Sequence, residues 1–138
     1  MSINLNHANN SISTNNSILT FTGSFYATTK SFKISHPTDT TKTLTYGSLE
    51  GPEFGVYVRG KLQGTDTIQL PDYWTKLVDP NSITVSLTPI GKFQKLSVKE
   101  IKDNTIIISS DGWFTKEIDC YYVVYGERAD IGKLEVEN

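Results

Sequence analysis

Alternation of apolar and polar residues constrains this chain more than any other feature. Over residues 83–88, apolar side chains occupy every second position, and Thr or Ser occupies the positions between them. In Val56-Tyr57-Val58-Arg59, the valines fall on one face, and Tyr57 and Arg59 fall on the other. Because successive side chains of a strand point to opposite faces of a sheet, this period of two predicts strands with one buried face. The predicted fold is all-β, with packed antiparallel sheets in a sandwich-like arrangement.

The segment Pro71–Val78 departs from this alternation and is the best helical candidate. Proline is favoured in the first turn of a helix, and the acidic Asp72 beside it favours the helix N-terminus. Asp79-Pro80 ends the segment, since a helix rarely continues into a proline. One short helix is therefore expected near residues 71–78.

The first 29 residues differ in composition from the rest of the chain. They carry no charged side chain, and Ser, Thr and Asn dominate. So little apolar surface cannot offset the entropy of ordering this segment alone. It is either a disordered arm or a set of short strands that bury their apolar faces against other copies, and the alternation at residues 19–22 favours the strands. We predict an extended oligomerising arm over residues 1–29 and a globular β-domain over residues 30–138.

The charge balance and the reactive residues exclude several functions. With 13 basic and 15 acidic residues, the net charge is -2, which provides no basic patch for nucleic acid. Cys120 is the single cysteine, and the two histidines, His7 and His36, lie far apart, so neither a disulfide nor a metal site is expected. No apolar stretch is long enough for membrane insertion. We expect no cofactor.

The turn Glu50-Gly51-Pro52-Glu53 precedes the strand that carries Arg59. A guanidinium can bind a carboxylate through two parallel hydrogen bonds, so we predict a structural ion pair of Arg59 with Glu50 or Glu53. The alternative is that the two glutamates are the acid and base of a glycoside-cleaving enzyme. Carboxylates beside an arginine are more often structural, and this favours the ion pair.

The segment Ile118–Tyr125 is apolar on both faces beyond Asp119. Such a strand is either central between two layers or packed on one side against another subunit. Leu134 and Val136 alternate with charged residues and predict a last short strand. Four aromatic residues could stack on sugars or bases, although packing in the core or at an interface is the commoner use of such side chains: Tyr73, Trp74, Trp113 and Phe114.

Several short motifs occur together in a fixed order between residues 30 and 136. They are Phe32-x-Ile34-x-His36-Pro37, Leu44-x-Tyr46-x-Ser48-Leu49-Glu50-Gly51-Pro52-Glu53, Gly55-Val56-Tyr57-x-Arg59-Gly60, Leu70-Pro71-Asp72-Tyr73-Trp74, Leu87-Thr88-Pro89-Ile90-Gly91 and Tyr122-x-Val124-Tyr125-Gly126-Glu127-Arg128. In this order and spacing they resemble a β-domain found near the C-terminal end of bacteriophage tail fibres and related virion proteins.

This resemblance implies a homotrimeric virion component without enzymatic activity. Its partners would be copies of itself, other virion proteins and a host surface glycan or protein. In longer relatives an intramolecular chaperone often follows this domain. This chain stops at Asn138 without one, which leaves open a tail fibre, a released piece of one, or a capsid decoration or fibre protein. A glycan-binding module is a further alternative. Receptor contact is expected from loops that include Thr38, Thr40, Gly64, Thr65, Asp111 and Trp113.

Overall fold

The computed structural model describes residues 22–23, 31–49, 51–111 and 117–137. Residues from Ser31 onward form one compact unit. Its elements are β1 (Ser31–Ser35), β2 (Thr43–Gly47), β3 (Gly55–Gln63), β4 (Thr67–Gln69), α1 (Trp74–Leu77), a 3-10 helix (Pro80–Ser82), β5 (Thr84–Pro89), β6 (Leu96–Lys102), β7 (Thr105–Ser110) and β8 (Asp119–Glu127). The predicted all-β fold with one short helix is confirmed. The predicted arm lies outside the described residues except for Thr22 and Gly23.

The strands form three antiparallel sheets. β1 and β2 make a hairpin, β3-β8-β5 form one three-stranded sheet, and β4-β7-β6 form the other. β8 is the central strand of its sheet: all nine of its residues pair with β3, and six of them also pair with β5. The segment that is apolar on both faces in sequence is therefore the strand with a neighbour on each side.

A single buried cluster draws on both three-stranded sheets and on α1. Its most deeply buried side chains are Leu70, Trp74, Leu77, Ile106, Ile108, Cys120 and Val124. Each fully buried aliphatic or aromatic side chain contributes about 1.5–3 kcal/mol relative to its exposed state. The single cysteine, Cys120, is one of these buried side chains. Val85 and Leu87 of β5 pack against the cluster, whereas Thr84, Ser86 and Thr88 are exposed, as the alternation predicts.

The end of α1 is bound to the end of β8. The amide of Ala129 donates to the Leu77 carbonyl at 2.8 Å, and the amide of Asp79 donates to the Glu127 carbonyl at 3.0 Å. The two segments lie so close together that a Cβ on Gly126 would overlap the Val78 side chain. Glycine is required at position 126 by this close approach.

The residue types Gln63-Gly64-Thr65-Asp66 predict a hairpin turn between β3 and β4. The structure has no hairpin there. β4 pairs with β7 and not with β3, so the prediction that β3 and β4 are neighbours is wrong. Gly64 has a φ of +68°, and its amide donates to Ile118, while Asp66 accepts from Ile108. The segment thus passes from one sheet to the other. The predicted last strand at Leu134 and Val136 is also absent, since residues 132–137 have no strand structure.

Candidate functional site

The outer face of the β3-β8-β5 sheet carries a group of exposed aromatic and basic side chains. We call it the tyrosine face, and its residues are Tyr57, Arg59, Lys61, Tyr121, Val123 and Tyr125. The tyrosines are 45%, 57% and 40% exposed in chain order. These are large aromatic side chains that the described part of the chain leaves uncovered.

Strand register arranges the tyrosine face in three cross-strand pairs. Tyr57 lies opposite Tyr125, with ring centroids 5.9 Å apart, Arg59 lies opposite Val123, and Lys61 lies opposite Tyr121. β5 extends these rows with exposed hydroxyl side chains, namely Thr84, Ser86 and Thr88. Arg59 and Lys61 therefore lie within an aromatic and hydroxyl surface.

Within the described strands β3, β5 and β8, acidic side chains occur only at the two ends of these rows. Asp119 lies at one end, with its Oδ1 3.3 Å from Lys61 Nζ, and Glu127 lies at the other end, with its Oε2 3.5 Å from Lys133 Nζ. Arg59, in the middle row, thus lies opposite Val123 with no acidic side chain in its row, whereas Lys61 pairs with Asp119.

The inner face of the same sheet fixes which side chains point outward. Tyr122 packs toward the core, over Gly60 on the neighbouring strand. A Cβ at Gly60 would lie 2.6 Å from the Tyr122 hydroxyl oxygen. Because side chains alternate along a strand, this packing commits Tyr121 and Val123 to the outer face.

β3 forms an edge of its sheet. It pairs with β8 along its whole length of nine residues, and among the described residues no strand pairs with its other side. An edge strand presents a row of N–H and C=O groups that can pair with another chain. The tyrosine face thus ends at an uncovered edge.

A second uncovered surface lies between the β1-β2 hairpin and the start of β3. We call it the apolar groove; it has a volume of about 120 Å³ and is lined chiefly by Phe32, Ile34, Tyr46, Leu49, Phe54, Arg128 and Ile131. Phe32 is 59% exposed. Arg128 donates from Nε and Nη2 to the two carboxylate oxygens of Asp130 at 2.8 and 2.6 Å. These hydrogen bonds lower the pKa of Asp130 and raise that of Arg128.

Aromatic contacts attach the hairpin to the turn before α1. The Tyr46 hydroxyl donates to the Tyr73 hydroxyl at 3.0 Å, and the His36 ring meets the Tyr73 ring edge-on at 5.5 Å. Burial, followed by the Tyr73 hydrogen bond, raises the pKa of Tyr46. His36 Nδ1 accepts from the Thr38 amide at 3.3 Å. These contacts hold the hairpin against the turn before α1.

Of the three residues in the predicted ion pair, the structure describes Glu53 and Arg59 but not Glu50. Glu53 and Arg59 are both exposed, and the ion pairs between described residues do not include one between them. Glu50 lies outside the described residues, so its pairing with Arg59 stays a prediction, as does pairing between subunits. The same holds for the catalytic alternative, which needs Glu50.

The loop residues singled out for receptor contact are exposed wherever they are described. These are Thr38, Thr40, Gly64, Thr65 and Asp111, while Trp113 lies outside the described residues. Asp39 orders the first loop: it accepts from the Thr41 amide at 3.0 Å, and its Oδ2 lies 2.8 Å from Lys42 Nζ. The hydrogen bond from Lys42 contributes most to lowering the pKa of Asp39.

Sequence reasoning singled out Arg59 but not Lys61, Tyr121 and Tyr125 as members of one surface. The apolar character of Ile118–Tyr125 was the available signal, yet it gave no strand register. Among the described residues, no group of three or more His, Cys, Asp or Glu could hold a metal. None of the helices in the described ranges has the length and hydrophobicity needed to cross a membrane.

No protein-family model matches this chain, and no curated protein or solved structure matches it either. The resemblance to phage tail-fibre domains therefore stays a prediction.

Proposed function

We propose that this chain is a structural component of a bacteriophage virion, a tail fibre or surface appendage that works as a homotrimer and catalyses no reaction. The observation that supports the proposal is the tyrosine face, a surface of aromatic and basic side chains on the outer side of β3 and β8 whose three tyrosines are 40% to 57% exposed. The resemblance in sequence motifs provides the virion context.

The composition of the tyrosine face suits contact with another copy. Tyrosine and arginine are enriched in protein interfaces, because each combines a large contact area with a polar group that can find a partner. The hydroxyl side chains of β5 carry no net charge, so their burial costs less than the burial of charged residues. A second subunit could therefore cover this surface and leave the core of each subunit intact.

A glycan-binding module is the second candidate, and one observation favours it. Tyr121 is the most exposed of the three tyrosines, and the next cross-strand pair on the same face of the sheet consists of Gln63 and Asp119. Stacking on an exposed aromatic ring, with an amide and a carboxylate nearby to bind hydroxyl groups, is a mode of sugar recognition. In a virion this activity would serve host attachment, whereas a capsid decoration protein would need no such contact.

Analytical ultracentrifugation of the purified protein tests the oligomeric part of the proposal. We expect a mass near three times the 15.4 kDa of one chain. The double variant Tyr121→Ser plus Tyr125→Ser should dissociate at concentrations where the parent protein is trimeric. A control with Thr43→Ser and Thr45→Ser, on exposed positions of β2, should remain a trimer. A parent protein that stays monomeric and folded at all concentrations would contradict the proposal.

Labelling of intact particles tests the virion part. Antibodies raised against the purified protein are expected to decorate phage particles in electron micrographs, on the tail or on the capsid. Phage with substitutions in the exposed loops, at Thr38, Thr40, Gly64, Thr65 or Asp111, should assemble normally. Reduced host adsorption by one of them would support receptor contact, and unchanged adsorption by all of them would leave a structural appendage. Absence of the protein from particles would refute the proposal.

A further inference from the structure

Two segments of the described chain have complementary, unsatisfied features. The first is the outer edge of β3, nine residues long, where no backbone partner lies among the described residues. The second is the C-terminal segment Lys133–Glu137, which has the alternation of a strand but forms none. Within the described part of the chain, the β3 edge has no neighbouring strand on its outer side, and the C-terminal segment has the strand pattern but no neighbouring strand to pair with.

The C-terminal segment exposes its apolar side chains. Leu134 is 39% exposed and Val136 is 62% exposed, with Glu135 and Glu137 between and beyond them. In an extended conformation, Leu134 and Val136 would lie on one side, and the two glutamates would lie on the other. A strand of this kind gains most by joining a sheet that has a buried face and a basic face.

The edge of β3 offers such faces. Its inward side chains include Leu62, which is 3% exposed, and its outward side chains include Arg59 and Lys61, which are separated by one residue, as Glu135 and Glu137 are. Lys61 also pairs with Asp119 of its own chain, so in the proposed contact it would lie between two carboxylates. Charges of opposite sign on directly opposed residues of neighbouring strands attract each other. The spacing and the signs of the charges match.

We propose that residues 133–137 of one copy add to β3 of a neighbouring copy as a fourth, antiparallel strand. This inference rests on the proposed self-association and specifies how the copies are joined. Antiparallel pairing with Glu135 opposite Lys61 places Glu137 opposite Arg59. The same register places Leu134 opposite Leu62 and Val136 opposite Gly60, so the apolar side chains extend the inner face.

The symmetry of this contact agrees with a trimer. The donated segment and the accepting edge are different surfaces of one chain, so the contact is heterologous. Heterologous contacts close into a ring when the rotation between copies permits it, and three copies form the proposed trimer. Each copy then gives one strand and accepts one, which leaves no β3 edge exposed.

The charges also have a different known use. Basic residues on an edge strand can prevent pairing with other chains. Under that alternative, reversing the charge of Arg59 and Lys61 would not weaken association. Under the proposed pairing, the same charge reversal would weaken association.

Charge reversal on each side, and on both sides together, tests the pairing. The acceptor variant is Arg59→Glu plus Lys61→Glu, the donor variant is Glu135→Lys plus Glu137→Lys, and the third variant combines all four substitutions. By ultracentrifugation, we expect the first two to raise the dissociation constant at least tenfold and the combination to restore most of the affinity. The control variant, Lys76→Glu plus Glu100→Lys at exposed positions elsewhere, should associate normally.

A parent protein that never associates would contradict the proposed function itself. A trimeric parent whose acceptor and donor variants associate normally would overturn only the strand addition, as would loss of association without recovery in the combined variant.

A disulfide provides a direct measurement of the register. The double variant Lys61→Cys plus Glu135→Cys is expected to form covalent trimers on oxidation, because the two positions are opposed across subunits. Each single variant should yield no species larger than a covalent dimer. If the oxidised double variant migrates as a monomer on a non-reducing gel, the proposed pairing is wrong. The native Cys120 is buried with no exposed surface, and burial raises its pKa, so it should not compete.

Discussion

The two faces of β8 are almost equally apolar in sequence, but in the structure they differ in burial. On the inner face, Cys120 and Val124 have no exposed surface, whereas on the outer face Tyr121 is 57% exposed and Tyr125 is 40% exposed. The inner face is closed by near contacts with Tyr122 over Gly60 and Val78 against Gly126. The two outer tyrosines end in hydroxyl groups that water can bind. Apolar content alone therefore does not separate core residues from residues available for assembly.

The largest expected effect comes from placing the same charge on either face of β8. Val124→Asp buries a carboxylate in the core without a partner, which should cost more than about 4 kcal/mol and prevent folding. Val123→Asp, one residue earlier, places the carboxylate on the outer face opposite Arg59, and the free energy of unfolding should change by less than about 1 kcal/mol. Thermal unfolding followed by circular dichroism measures both. Similar losses for the two variants would contradict the distinction between the faces.

Gly60→Ala tests the contact that closes the inner face. The added Cβ would press on the Tyr122 ring, and overpacking of this kind costs about 1–3 kcal/mol. Gly47→Ala is the matched control, since a Cβ there meets no atom within 4 Å, and this change should be neutral or slightly stabilising. Urea unfolding of the two variants measures the difference. Adding Tyr122→Val to Gly60→Ala should recover part of the loss, and no recovery would locate the strain elsewhere.

The sequence correctly predicted which side of β3 and of β5 is buried, but it did not predict which strands pair. Alternation assigned the exposed and buried sides of β3 and β5 correctly, because side-chain direction in a strand depends only on position along it. The turn at residues 63–66 looked like a hairpin, yet β3 pairs with β8, which is more than fifty residues away. Pairing between distant segments depends on how the whole core closes, and no local pattern specifies it.

The candidate site shows the same limit. The residues on β3, namely Tyr57, Arg59 and Lys61, alternate visibly in the sequence, but only the register with β8 brings Tyr121 and Tyr125 beside them. The wrong prediction of a strand at Leu134 and Val136 has a related cause. A strand needs a neighbour, and in the described chain these residues have none. Alternation can be read from the segment itself, whereas strand pairing depends on the other segments that the fold brings beside it.

At the end of β8, the Arg128–Asp130 pair is expected to have a smaller effect than the core contacts. The Arg128 side chain is 16% exposed and the Asp130 side chain is 35% exposed, so solvent screens the pair only in part. Asp130→Asn should cost about 1 kcal/mol at neutral pH. Asp111→Asn is the control: it removes a pair with Lys95 in which both side chains are mostly exposed, and it should change little.

The pH dependence of the Asp130→Asn difference follows from the lowered pKa of Asp130. A carboxylate whose folded pKa lies below its unfolded value of about 3.9 adds stability above that value. The difference between parent and variant should therefore be constant between pH 5 and 8, on the order of the value above, and shrink as the pH falls below about 4. A difference that grew with acidification would contradict the assigned pair.

The smallest expected effect is the coupling between Tyr57 and Tyr125 on the outer face. Their rings lie 5.9 Å apart at an angle of 41°, on directly opposed residues. Cross-strand aromatic pairs contribute about 0.2–1 kcal/mol, and exposure to water places this one at the lower end. A double-mutant cycle with Tyr57→Thr and Tyr125→Thr, measured by unfolding at concentrations where the protein is monomeric, should give a coupling energy of about 0.3 kcal/mol.

The same cycle at concentrations where the protein forms the proposed trimer sharpens the comparison of the two faces. If the tyrosine face lies between subunits, each substitution should lower the midpoint of unfolding more at high concentration than at low concentration, because folded subunits are stabilised by association. Val124→Ala on the inner face should lower it by a similar amount at both concentrations, since the removed contacts lie within one subunit. Equal concentration dependence for inner and outer substitutions would mean that the tyrosines face solvent in the assembled protein. The contact between copies would then lie on another surface, such as the β3 edge with residues 133–137 alone, or the apolar groove.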